Sequence, residues 1–491
     1  MLNASTPNQR RAYGQSRRKQ APRQGQNYWR SADRRTDPID AIAASAVGRV
    51  PALLKIKWER MAASPFGFFR GAVPVMAADL AVLPQTSILT QLCGDAHVRN
   101  LGAYAAPDGR LVFDINDFDE TIRGPFEWDI KRMAVSLILA GRETGEKNAG
   151  CREAAEIFLR RYRRSMSSFA RMSVLELARY QVHRLQRIAP VSQALRKAER
   201  ETPQSTLTRL TTMPKSGRNK NPEYRVFIDS PPLQYRLTPP QARRVVDALT
   251  LYRESLLPER QHFLSLYRPL DVAFRVVGTG SVGLRDYVIY LEGNGLYDPL
   301  FLQIKEEPGS AYAPYLGEHG GAQHHGRRVA EGQRAMQLQS DAFLGWTTIN
   351  NRHYLVRQLN DHKASIDVQD LRDGGITQYA EICGELLARG HARAGDPLAI
   401  QGYLGESEKC DSAITEFAVQ YADQTDRDYE TFLRSRFAPR GALQRALAAK
   451  SKTPVKKSKT SVKKRALGKA KSKAQSKAQS KAKSETSAKK V

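Results

Sequence analysis

Asp95 and Asn100 stand five positions apart in Cys93-Gly94-Asp95-Ala96-His97-Val98-Arg99-Asn100, and more acids follow within one hairpin's length. The hairpin reads as a strand, a Pro107-Asp108-Gly109 turn and a second strand through Leu111-Val112-Phe113. That strand runs into Asp114-Ile115-Asn116-Asp117-Phe118-Asp119-Glu120. Acid packed directly after an apolar strand is a layout that phosphoryl transfer needs. A carboxylate accepts the proton of the attacking hydroxyl, while an amide oxygen and a second carboxylate hold Mg²⁺ against nucleotide phosphates. A solvated or helix-capping run of Asp, Asn and Gly is the plainer alternative. It leaves unexplained why base, amide and terminal acid recur in order around one hairpin. His97 alone reads as a hydrogen-bonded structural residue rather than a ligand.

A second group lies far downstream. Phe274-Arg275-Val276-Val277 runs into Gly278-Thr279-Gly280-Ser281-Val282-Gly283, a G-x-G-x-x-G pattern. In a dinucleotide-binding fold this pattern opens a helix. Here Asp286 to Glu292 alternates as a strand, turns at Gly293-Asn294-Gly295, and returns as Leu300 to Lys305. Strand, glycine loop, strand, and strand ending in lysine is the kinase order. The loop amides cover phosphates and the lysine contacts the α- and β-phosphates. Gly278, Gly280, Ser281, Gly283 and Lys305 are therefore the nucleotide-binding candidates. Such a lysine takes an acidic partner from the following helix, and Glu331 is expected to supply it, the alternative being an ordinary exposed helical Glu. The linker Gly317 to His325 reads as a glycine-rich loop rather than a histidine metal site.

Residues 93 to 129 resemble the aminoglycoside-phosphotransferase branch of the protein-kinase-like superfamily, whose segment reads H-G-D-x-H-x-x-N, hairpin, I-D-[FW]. The resemblance implies Asp95 as base, with Asn100 and Asp117 as metal ligands. Counting forward from Asn100 favours Asp114 for the last role; counting back from Asp129 favours Asp117, which is preferred because Asp114 is still within the strand pattern. Trp128-Asp129-Ile130 looks like the helix whose Asp buttresses the catalytic loop. Cys93 replaces a His that is structural in the family. Gly384 to Ala392 resembles the helix that precedes the catalytic loop in the same branch. Because Asp95 comes before Gly278, either two unrelated motifs coincide or the chain is a circular permutation of the two-lobed fold, and the Gly384 to Ala392 resemblance supports the permutation. Residues 41 to 439 also resemble the bacterial domain of unknown function 2252 family, through Phe68-Phe69-Arg70-Gly71, Gly94-Asp95, Asn116 to Glu120, Val276 to Gly283, Phe301 to Glu306 and Tyr354 to Gln358. Arg275 stands where that family commonly shows Lys. This second resemblance implies a fold and a site rather than a substrate.

The elements that must position these groups follow from periodicity. Ile130, Met133, Leu137, Ile157, Leu159 and Tyr162 recur at helical steps through 128 to 182. Residues 190 to 238 look like an irregular insertion, with a Pro214-Lys215-Ser216-Gly217 cluster and a short strand at Tyr224 to Asp229. Helical stretches follow at Pro240 to Tyr267, Arg327 to Phe343 and Thr377 to Ala394, around a β-rich block from Val272 to Lys305. The expected fold is α+β: a two-lobed, circularly permuted protein-kinase-like fold. Its β-rich nucleotide lobe spans 266–360, and its mainly helical catalytic lobe spans 37–265, with hairpin 93–120, and is completed by 361–439.

Composition bounds the rest. A chain of 491 residues exceeds what one core usually serves. No run approaches the ~18 apolar residues of a membrane span, and no apolar leader opens the chain, so a soluble, cytoplasmic protein without a membrane partner is expected. Cys93, Cys151, Cys383 and Cys410 form no C-x-x-C pair, which argues against disulfides and cysteine zinc sites. The net charge is +28, of which residues 440–491 hold +17 and residues 1–35 hold +8, leaving +3 for the middle. Residues 1–36 and 440–491 are expected to be disordered basic arms. The tail offers non-specific contact with a polyanion or nucleic acid, weakening steeply with salt, and too few aromatics for sequence reading. The function expected is an ATP- and Mg²⁺-dependent phosphotransferase for a small hydroxyl- or amino-bearing substrate. An adenylyltransferase, a catalytically silent nucleotide-binding regulator and a nucleic-acid-associated protein tethered by its tail are the competing readings.

Overall fold

Short apolar stretches broken by turns fold the early acidic segment into antiparallel pairs. Strand β1 (Leu89–Leu92) pairs with β4 (Ile122–Pro125), and β2 (Leu101–Ala105) with β3 (Leu111–Ile115). The computed structural model describes residues 5–182, 188–214, 224–276, 278, 280–359 and 362–452. Two-residue strands β5 (Thr211–Thr212) and β6 (Val226–Phe227) pair with each other. A six-stranded antiparallel sheet contains β7 (Gln234–Arg236), β8 (Arg268–Arg275), β9 (Asp286–Glu292), β10 (Pro299–Glu306), β11 (Gly345–Ile349) and β12 (Arg352–Gln358). Its spatial order is β11-β12-β10-β9-β8-β7. Strand β13 (Ala364–Ser365) then crosses back to pair with β2, so the chain leaving the large sheet is stitched to the hairpin.

The helix Glu127–Thr144 is buried almost all round, a pattern that marks a central element rather than a surface one. It packs against Asn148–Phe169 and Lys409–Arg434, while Gly375–Ala394 packs on Asn148–Phe169. These helices share one apolar core with the hairpin, through residues such as Phe113, Ile115, Met133, Phe158 and Leu386. The large sheet has a core of its own. Val245, Tyr252 and Leu264 pack on Val272, Ile289, Leu302 and Val356. Helices Pro239–Asp247, Leu249–Glu254 and Pro258–Ser265 thus cover the sheet, although the sequence assigns them to the helical catalytic part. Their apolar stripe recurs at helical spacing, and the Thr347 hydroxyl donating to the Ala248 carbonyl at 2.7 Å ties it to β11.

The insertion at 190–238 is more regular than its composition suggests. Helices Ala189–Arg200 and Pro203–Leu210 occupy its first part, and β6 retains two residues of the expected Tyr224–Asp229 strand. Pro214 is described; Lys215, Ser216 and Gly217 lie outside the described residues.

Residues 5–36 depart from the expected basic arm. Thr6 and Gln9 form a capping box for the helix Pro7–Ser16. The arginines beyond it are used locally. Arg18 Nε donates to the Tyr403 carbonyl at 2.9 Å, and Arg23 Nη1 to that of Leu404 at 2.8 Å. They satisfy carbonyls left open at the end of the helix Pro397–Leu404. Arg34 bridges two buried carboxylates, with Nη2 2.6 Å from Asp79 Oδ2 and Nη1 2.8 Å from Asp428 Oδ1. Charge that reads as solvated in sequence is therefore bonded. Ala442–Lys452 forms a helix in a second unit that begins at Gly441, and the lysine-rich 453–491, including the Ser-Lys-Ala-Gln repeat, lies outside the described residues. Among the described residues no helix is long and apolar enough to cross a membrane, and all four cysteines are unpaired and buried.

Arg34→Met would leave Asp79 and Asp428 buried without their cation. Breaking such a buried bridge costs about 3 kcal/mol or more. The urea midpoint should fall accordingly, and an unchanged midpoint would mean that the Arg34 bridge contributes nothing to stability.

Candidate active site

Gly94 fixes the shape of the loop that carries Asp95. Its φ is 84°, and a Cβ there would meet the Glu120 carbonyl oxygen at 2.2 Å, so only glycine fits. The loop is held from below by Asp129 on the central helix. Its carboxylate accepts from Cys93 N at 2.7 Å and Gly94 N at 3.0 Å. His391 Nε2 lies 3.2 Å from Asp129 Oδ2, which assigns the ring proton to Nε2 and leaves Nδ1 to accept from the Tyr162 hydroxyl at 2.8 Å. Arg132, one turn beyond Asp129, reaches Asp95 itself. Its Nε and Nη2 stand 2.7 and 2.6 Å from Oδ1. Burial pushes the Asp95 carboxyl up, and Arg132 opposes that rise. Asn100 Nδ2 donates to the Asp95 carbonyl, and Asn116 N donates to the Asn100 carbonyl at 2.9 Å, which closes the loop onto the hairpin.

Opposite this loop, Lys305 emerges from the buried end of β10 into a group of acids. Its ammonium pairs with Asp119 Oδ2 and lies 4.0 Å from Asp117 Oδ1 and 3.8 Å from Glu307 Oε1. Burial disfavours the charged lysine, but the surrounding carboxylates outweigh it and raise its pKa. Burial also opposes ionisation of Asp119, yet Lys305 and a hydrogen bond from Asp117 hold it down to about 2. Asp117 is pushed up by burial and by the charge of Asp119. Glu307 is driven well up, first by burial and then by Asp119. Asp117 Oδ1, Asp119 Oδ1 and both oxygens of Glu307 are buried acceptors without a hydrogen bond.

The glycine turn closes the cleft. Gly278 has φ 69° and Gly283 φ 94°. The turn's outward carbonyls are gripped by the segment at 49–60. Arg49 Nη1 donates to Gly280 O and Val282 O at 2.8 and 2.7 Å, Val50 N to Gly283 O at 2.7 Å, and Arg60 to Gly278 O. Asp95, Asn100 and Asp117 from the early segment line one cleft with Gly278, Gly280 and Ser281 from the late one, enclosing about 640 Å³ including the open mouth. Gly283 lies just behind, against Arg49. Asp114 stays out of the cleft, buried on Arg389.

Glu331 is not the partner of Lys305. It is exposed, pairs with Arg327 at 2.8 Å, and borders a separate groove with His319 and His324. The helix His325–Met336 buries Val329, Ala330, Gln333 and Met336, which turns Glu331 outward. Arg328 faces the site instead, donating to the carbonyls of Asp119, Thr121 and Pro308. The acids beside Lys305 are Asp119 and Asp117 from the end of the hairpin and Glu307, two residues on in sequence. His324 caps the same helix by accepting from Arg327 N and stacks on His353, with ring centroids 4.1 Å apart. Among the described residues no group of three His, Cys, Asp or Glu side chains is arranged to hold a metal ion.

Sequence reasoning missed Arg132, Asp119, Glu307 and Arg328. Arg132 carries a legible signal, since three positions from Asp129 is the same helix face. Glu307 carries one too, two places after Lys305, whereas Asp119 and Arg328 depend on contacts between remote segments.

A model of an uncharacterized protein family conserved in bacteria, domain of unknown function 2252, matches residues 49–435. The chain belongs to this family. No curated protein and no solved structure matches it. The match takes in every cleft residue named above, so the site is built wholly from the family's segment.

Asp286 gives the site a measurable titration. It stands opposite Lys305 in the β9–β10 register and accepts from Gln303 Nε2 at 2.6 Å, and burial pushes it up to about 7. A carboxyl raised in the folded state keeps protons that the unfolded chain has already released. Its contribution is therefore lost as pH climbs from about 4, the unfolded value, to about 7. Asp286→Asn should gain stability over wild type as pH rises from 4.5 to 8, measured by urea unfolding at each pH. A difference that is flat with pH would contradict this assignment.

Proposed function

We propose that the protein is an ATP- and Mg²⁺-dependent phosphotransferase with a circularly permuted, protein-kinase-like architecture, acting on a small acceptor. The observation that carries this reading is the meeting of Asp95, Asn100 and Asp117 with the glycine turn across one cleft, despite their separation in the chain. The order of parts within the sheet supports it too. A glycine turn joins β8 to β9, a lysine ends β10, and a helix follows before β11, as in kinase nucleotide lobes. This chain departs from that pattern in drawing the lysine's acids from Glu307 and the hairpin.

In this reading Asp95 takes the proton of the acceptor hydroxyl as the oxygen–phosphorus bond forms. The bond from the γ-phosphorus to its bridging oxygen breaks, and its electron pair leaves on ADP. Arg132 fixes Oδ1 of that base, leaving Oδ2 toward His97, 3.5 Å away. The carbonyls of Gly278, Gly280, Val282 and Gly283 are engaged by Arg60, Arg49 and Val50, which holds the turn against the cleft where phosphates would lie. Asn100 and Asp117 fit Mg²⁺, whose shell is commonly one or two protein oxygens completed by phosphates and water. The unbonded buried oxygens of Asp117 and Asp119 are acceptors suited to a cation. Bound there, Mg²⁺ would neutralise phosphate charge during transfer.

Asp95→Asn should lower phosphate transfer about 10²–10⁴-fold while Mg-ATP binding persists. Lys305→Ala should weaken Mg-ATP binding itself. Product mass distinguishes a phosphoryl from an adenylyl adduct. Full turnover by Asp95→Asn, or wild-type protein that fails to bind Mg-ATP, would sink the proposal.

A further inference from the structure

Arg70 connects the cleft to a second groove of opposite character. It lines the cleft beside Asp95 and also borders a neighbouring groove with Arg60, Arg99, Ser64 and Glu143, roofed by Gly278. Three guanidinium groups share this groove with one carboxylate, and that carboxylate, Glu143, already accepts from the Ser64 hydroxyl at 2.5 Å. Among the described residues neither Arg70 nor Arg99 forms an ion pair. Arg70 Nε touches only His97 Nε2, at 3.4 Å. The Arg99 Nε is buried without a hydrogen bond. His97 brings no compensating charge, because burial and the arginines around it keep its imidazole neutral. Burial and the neighbouring Arg99 hold Arg70 down to about 10. Like charges held together, partly out of water, are costly unless an anion is seated among them.

The groove is also well placed. Arg99 belongs to the loop that carries Asp95 and Asn100, so a group bound to it sits beside the base. Three of the cleft's acids, Asp117, Asp119 and Glu307, gather around Lys305, which does not border the arginine groove. One side is thus built for a cation and phosphates, and the other for an anion.

We infer that the acceptor carries an anionic oxyacid group, a phosphate or a carboxylate, seated among Arg60, Arg70 and Arg99 with its hydroxyl toward Asp95. This rests on the phosphotransferase reading and narrows it. An amine-rich acceptor, cationic at neutral pH, is repelled by three guanidiniums. Planar guanidinium forks suit phosphate and carboxylate oxygens.

The test uses the full chain saturated with Mg²⁺ and a non-hydrolysable ATP analogue, with inorganic phosphate as the probe. Calorimetric titration is run at constant ionic strength in chloride. Phosphate should bind saturably at one site. Arg60→Gln and Arg99→Gln should each weaken it about tenfold, the scale of a charge-assisted hydrogen bond. Arg243→Gln, an exposed charge on the helix Pro239–Asp247, should leave it unaltered. Thermal unfolding of each variant checks that it is folded. Analogue binding without phosphate binding overturns the acceptor inference and leaves the phosphotransferase reading intact. Phosphate binding lost in Lys305→Ala but kept in Arg99→Gln puts the probe among the nucleotide groups and also overturns it. Phosphate bound by a protein that ignores the analogue instead removes the phosphotransferase reading, and the acceptor role with it. Equal weakening by Arg99→Gln and Arg243→Gln reduces the effect to net charge and overturns the inference.

Discussion

One buried ammonium organises the site. Lys305 comes from the large sheet, and the acids around it come from the end of the hairpin and from its own strand. Taking an ammonium out of water costs several kcal/mol unless charges and hydrogen bonds replace the solvent. Here three carboxylates surround one cation, so it is the acids, not the lysine, that lack partners. Burial first, and then the charge of Asp119, pushes Asp117 and Glu307 up, while Lys305 keeps Asp119 ionised. The same contact ties the sheet to the end of the hairpin. Arg328 reinforces it from the third direction through the Asp119, Thr121 and Pro308 carbonyls.

What could be read from sequence was local. The Asp95 to Asn100 spacing, the hairpin turn and the strand–glycine–strand succession are short-range patterns, and each reports its own element. Asp129 was legible for the same reason, since its position on the helix and the geometry of the Asp95 loop belong to one compact segment. Glu331 misled because a helix after a lysine strand offers an acid, yet rotation of that helix is decided by which residues find a core. Val329, Ala330 and Gln333 found one, and Glu331 was turned away. Glu307 was hidden in plain sight, an acid two places after the lysine and one past the end of its strand. The arginines of residues 5–36 read as a solvated arm because composition does not reveal that open carbonyls wait at the end of a helix almost four hundred positions later.

Chain order has a physical consequence. With Asp95 ahead of the glycine turn, residues 49–60 fall where they can cover the turn's outer side. Arg49, Lys57 and Arg60 all donate to its carbonyls. A glycine turn is entropically costly to order. Bonding its carbonyls lowers that cost and holds the turn in one conformation. The early segment therefore contributes to both walls of the cleft, Asp95 on one side and the Arg49 clamp on the other.

The charge pattern also bears on how a nucleotide and its metal would enter. In the structure Lys305 is already committed to Asp119, so a triphosphate arriving alone meets a lysine whose charge is answered and acids that repel it. Under the phosphotransferase proposal, a divalent cation on Asp117 would change both terms at once. It would neutralise carboxylate charge and weaken the hold of the acids on the lysine. Binding of cation and triphosphate would then be coupled, each raising the affinity for the other by the same factor. The origin of that coupling would lie in the gathering of Asp117, Asp119 and Glu307 around one ammonium, and it would need no change of fold.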